Sequence, residues 1–78
     1  KDFRKADADS KEIYTSISGQ DYTGSVAGEG EVDLASILTT LKSTNYTGWL
    51  SVEFEGEEDQ KYGSAKSIEN LRETLNRI

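Results

Sequence analysis

No cysteine and no histidine occur in these 78 residues. Their absence excludes, within the chain, disulfide frameworks, thiolate and zinc-finger sites, cysteine nucleophiles and histidine-based triads. What remains for chemistry is carboxylate, lysine, arginine, tyrosine and hydroxyl groups. Apolar residues are scarce too. Only 33% of the chain is hydrophobic and the mean hydropathy is -0.71, which suits one small domain at most and supplies little core. Below about 80 residues, disulfides, metals or oligomerisation commonly make up such a shortfall. No apolar run approaches the roughly 20 residues of a spanning helix, and no signal-peptide pattern is present, so no membrane partner is expected. The first residue is Lys1 rather than methionine; residues upstream, and a cytoplasmic location, are expected.

The charge balance is acidic, with 15 Asp and Glu against 9 Lys and Arg and a formal charge of -6. Such a surface repels phosphate backbones, which argues against nucleic acid as a partner. Between Ala6 and Glu31 the residues are mostly Ser, Thr, Asp, Gly and Gln, and the few apolar ones keep no sustained period. Residues 5–32 are therefore expected to form a long loop, after a strand end at 1–4.

A clearer pattern follows. Asp33 can accept hydrogen bonds from free amides at a helix start, and Leu34, Ile37, Leu38 and Leu41 fall at i, i+3, i+4 and i+7. This spacing predicts an amphipathic helix over 33–44. Asn45, Thr47 and Gly48 supply turn chemistry. Residues 49–55, Trp49-Leu50-Ser51-Val52-Glu53-Phe54-Glu55, have the aromatic and β-branched content of a strand. Leu50, Val52 and Phe54 would share one face, with Trp49, Ser51, Glu53 and Glu55 on the other. A second helix is predicted over 64–78, with Ser64 or Ser67 as its cap.

The resulting order of strand end, loop, helix, strand, helix is the rhythm of a parallel α/β protein. One full strand cannot close a parallel sheet alone. The remaining strands are expected from protein outside the chain or from self-association. In that arrangement Glu53 points away from the helices near the carboxyl end of its strand, where α/β barrels place their sites. The Gly28-Glu29-Gly30 stretch carries too much negative charge to cradle phosphate, and its glycines are read as backbone punctuation. The cluster of Glu55, Glu57, Glu58 and Asp59 lacks the ligand spacing of a calcium loop and is read as a solvated turn. Tyr46 and Trp49 are assigned to packing.

Three segments in order carry a resemblance: Lys1-Asp2, then Gly28-Glu29-Gly30-Glu31-Val32-Asp33, then Tyr46-Thr47-Gly48-Trp49-Leu50-Ser51-Val52-Glu53. Together they resemble the end of the xylose isomerase-like barrels, the sugar phosphate isomerase/epimerase family. The resemblance implies the C-terminal βαβα fragment of a (β/α)8 TIM barrel, incomplete on its own. It also implies a divalent metal (Mn, Mg, Co or Zn) in the full-length protein, with Glu53 as a metal ligand and acid/base group. A sugar or sugar phosphate would be the substrate, and Arg4 or Lys5 would contact it. The family's histidine and other ligands are missing here, so this chain alone is expected to bind no metal and to be inactive. The competing expectation is a non-catalytic α/β module for assembly or binding. Other chemistries of the same barrel family, such as dehydration or cleavage of abasic DNA, fit the acidic, histidine-free composition less well.

Overall fold

The computed structural model describes residues 1–78. It is a small α+β domain, with elements in the order β1 (Asp2–Lys5), β2 (Tyr14–Thr15), β3 (Asp21–Ser25), α1 (Leu34–Ser43) and α2 (Gln60–Arg77). The three strands form one antiparallel sheet in the order β1-β3-β2. The expected βαβα fragment of a (β/α)8 TIM barrel is therefore overturned. The sheet closes within the chain, and two of its strands lie inside the stretch expected to be a loop.

The physical reason lies in how this sheet is built. β3 is Asp21-Tyr22-Thr23-Gly24-Ser25, a strand with no aliphatic residue, so apolar alternation does not mark it. Its buried face is hydroxylic instead: Thr23 is fully buried and Ser25 is 5% exposed. Thr23 donates from Oγ1 to Glu57, and the Ser25 hydroxyl donates to the Val26 carbonyl. A tight turn closes β2 onto β3, with the Ser16 amide on the Gln20 carbonyl and the Gly19 amide on the Ser16 carbonyl.

The segment 49–55 has strand composition but no ladder. Its sole pairing is at its end, a parallel bridge between Gly56 and Gly24. A strand-like sequence becomes a strand only where a neighbour offers free amides and carbonyls. β2 takes one edge of β3 only at Asp21 and Tyr22, and the remainder of that edge is met at Gly24 by Gly56 alone. Of the apolar face foreseen for 49–55, Phe54 is buried, Val52 is half-buried and Leu50 is exposed. Trp49 is 90% exposed and Tyr46 is also exposed, so neither packs in a core. The Tyr46 hydroxyl instead donates to the Trp49 carbonyl.

The helices begin at acidic caps. Asp33 accepts from the Ser36 amide and hydroxyl at the start of α1, and its stripe of Leu34, Ile37, Leu38 and Leu41 buries only Leu38 fully. α1 ends with Asn45 in the left-handed region (φ 58), which asparagine tolerates. In α2 the cap is Asp59, which accepts from the Tyr62 amide. The helix thus starts one turn before Ser64, and Ser67 lies buried inside it. The core is correspondingly small: Val26, Ala27, Leu38 and Phe54. A radius of gyration of 13.6 Å exceeds the about 11.5 Å expected of a compact chain this long. No helix is long and apolar enough to cross a membrane.

Candidate functional site

Alternation along β1 and its register with β3 sort the side chains by face. Phe3 pairs with Gly24 and Lys5 with Tyr22, while Tyr14 pairs with Tyr22 from the other edge. Phe3, Tyr14 and Tyr22 therefore share one face of the sheet. Asp2 and Arg4 point to the other.

Asp2 is 2% exposed and organises the neighbouring loop. Its carboxylate accepts from the amides of Phe3 (2.8 Å), Gly28, Gly30 and Val32 (each 3.0 Å). A buried carboxylate is tolerable only with such partners. Gly28 adopts φ 94, a conformation that turns the chain so that these alternate amides converge. The Glu31 amide then donates to the Phe3 carbonyl at 2.7 Å, so the loop lies along the free edge of β1.

Lys1 sits at the start of β1 and meets the segment foreseen as the catalytic strand. Its ammonium lies 3.9 Å from Glu53 and pairs directly with Glu55. The hydrogen bond to Glu55, followed by the Glu53 charge, holds the lysine pKa above its ordinary value. The Glu53 side chain is 73% exposed, open to solvent and to any ligand. Of the two candidate substrate contacts, Arg4 pairs with Asp7 at 3.6 Å, and Lys5 is exposed and joins no ion pair. Neither is paired with Glu53.

No group of three or more carboxylates could hold a metal ion. The nearest charged partner of Glu53 is the Lys1 ammonium, which repels a cation. The donor set of this chain therefore does not fit a divalent metal by itself.

A feature that sequence reading missed lies on the Phe3 face. A cavity of about 520 Å3 opens there, lined by Phe3, Tyr14, Tyr22 and Val32, with Thr15 and Glu31 among its polar groups. The Phe3 and Tyr14 rings stand edge to face, 6.3 Å apart at 78°. Recognising β2 and β3 as a hairpin with Tyr14 opposite Tyr22 would have revealed it. No protein family, curated protein or solved structure matches this chain.

Proposed function

We propose that this chain supplies part of the active site of a divalent-metal-dependent sugar or sugar phosphate isomerase/epimerase, with Glu53 as its reactive carboxylate. The observation that supports this is convergence. The three resembling segments lie far apart in sequence, yet Asp2 binds the Gly28–Val32 amides and Lys1 lies against Glu53.

An exposed carboxylate can remove the proton from a carbon beside a sugar carbonyl and return it to the neighbouring carbon or to the other face. Lys1 is placed to orient that carboxylate. Because the residues present do not form a metal site, the metal and its remaining ligands would come with protein outside these 78 residues. Arg4 and Lys5 alternate to opposite faces of β1, so one of them, not both, would face the substrate in that assembly. A cytoplasmic location goes with the reading, since sugar phosphates do not cross membranes unaided.

In the assembled enzyme, Glu53→Gln should lower kcat by orders of magnitude while leaving the thermal unfolding curve in place. Wild-type turnover in that variant would remove Glu53 from the site. The 78-residue chain alone should turn over no sugar.

A second reading, a non-catalytic assembly or binding module, is favoured by one observation. Ile17 and Trp49 are almost completely exposed, and Ile13, Ile37 and Leu50 are partly so, apolar side chains that a partner or a second copy would cover. Sedimentation equilibrium distinguishes self-association from capture of a separate subunit. A monomer that lacks any partner at high concentration would count against this module.

A further inference from the structure

We propose that the cavity on the Phe3 face is a binding site for a small organic cation, an alkylated ammonium held against Phe3, Tyr14 and Tyr22 with Glu31 as its counter-charge. This goes beyond the isomerase reading and does not depend on it.

Four observations support the assignment. The cavity is of about 520 Å3, within the roughly 300–1,000 Å3 range of small-molecule sites. Its walls are three aromatic rings from three different strands, two of them nearly perpendicular. An aromatic face attracts a cation while an apolar body fills the space between such rings. Glu31 lines the cavity, its backbone anchored by its amide on the Phe3 carbonyl. It joins none of the chain's ion pairs.

The protein's own cations do not take this place. Lys1 is committed to Glu55 and Glu53, and Arg4 to Asp7, while Lys5, opposite Tyr22 on the same face, is exposed to solvent and is not among the residues that line the cavity. A bare metal ion is a poor occupant, because one carboxylate and aromatic walls offer too few oxygen ligands. The net charge of -6 favours a cation over an anion at any such opening.

The test compares choline with 3,3-dimethyl-1-butanol, its uncharged isostere, by two-dimensional NMR of the 78-residue chain. Choline should shift the ring resonances of Tyr14 and Tyr22 saturably, and the alcohol should bind about tenfold more weakly or worse. Glu31→Gln should weaken choline by a similar factor while leaving the alcohol unchanged. Tyr14 is half exposed, so Tyr14→Leu should leave the fold intact and reduce choline binding. Equal affinity for the two probes would show a merely apolar hollow and overturn the assignment. So would the absence of any saturable shift at Tyr14 and Tyr22 in the millimolar range.

Discussion

The two seven-residue segments that follow β3 and α1, residues 26–32 and 46–52, are held very differently. After β3, the stretch from Val26 to Val32 is gripped from both sides. Asp2 takes the amides of Gly28, Gly30 and Val32, and α2 takes both backbone groups of Ala27. The Ser67 hydroxyl accepts from the Ala27 amide at 3.0 Å, and the Asn70 side-chain amide donates to the Ala27 carbonyl at 2.9 Å. After α1, the stretch from Tyr46 to Val52 has the more hydrophobic sequence and much less to hold it. Trp49 and Leu50 are exposed, and a gap of about 190 Å3 lies among Leu34, Leu38, Leu50, Val52 and Leu71. Hydrophobic content therefore does not decide which segment is fixed. Polar groups with buried partners do, because leaving such a partner unpaired costs more than leaving a leucine half wet.

The sharpest way to break this contrast is Asp2→Ala. The substitution removes the shared partner of four part-buried amides at once, and each costs up to about 1–3 kcal/mol where water does not replace the carboxylate. The loss should reach at least about 3 kcal/mol, a large part of the stability of so small a domain. Urea denaturation followed by circular dichroism measures it.

Gly63→Ala comes next. Gly63 faces the Phe54 ring, and an added β-carbon would fall well inside contact distance of the ring carbons. Overpacking of about 1–3 kcal/mol should outweigh the better helix propensity of alanine. The same denaturation experiment should show a net loss. A gain would mean that Phe54 is free to move.

A smaller effect tests the start of α1. The Ser36 hydroxyl and then its amide bind the Asp33 carboxylate and hold its pKa below the ordinary value. At Asp7 the Asp9 amide, then the Ser10 hydroxyl, lower the pKa in the same way. A lowered folded pKa means stabilisation that is complete above the unfolded value, near about 3.9, and is lost as pH falls through the lowered one. NMR titration should place both carboxyls below the unfolded range. The first turn of α1 should loosen only at those acidic pH values, and an ordinary midpoint for Asp33 would remove the cap.

The smallest effect is expected in the open segment itself. Trp49→Ala should change stability by no more than about 0.5 kcal/mol. The indole emission of the unaltered chain should barely shift on unfolding. A loss comparable to that of Asp2→Ala would erase the contrast between the two segments.

The helices were legible because their signals are local. The spacing of Leu34, Ile37, Leu38 and Leu41 lies on α1, and Asp33 sits at its cap. α2 was legible in its later turns, while its start was hidden because Asp59 belongs to an acidic cluster that looks like solvated turn. The sheet was illegible for a different reason. Thr23, Gly24 and Ser25 form a buried strand without apolar residues, whereas 49–55 carries strand-like residues with nothing to pair with. Pairing is a property of the whole chain, and no window of seven residues contains it. Of the candidate site, Glu53 was singled out from its place in an expected strand that does not form, while its neighbour Lys1 and the aromatic cavity both depend on contacts between distant segments.

The grip of Asp2 also sets an order of events. Its bonds to Gly28 and Val32 span 26 and 30 residues, and its position is fixed by the pairing of β1 with β3. Closing so long a stretch of chain for a few hydrogen bonds is entropically costly. The loop can therefore lock only after β1 has found its register on β3. The amides of Gly28, Gly30 and Val32 should acquire protection from hydrogen exchange late in refolding, together rather than one at a time, so that this glycine-rich turn reports completion of the native state.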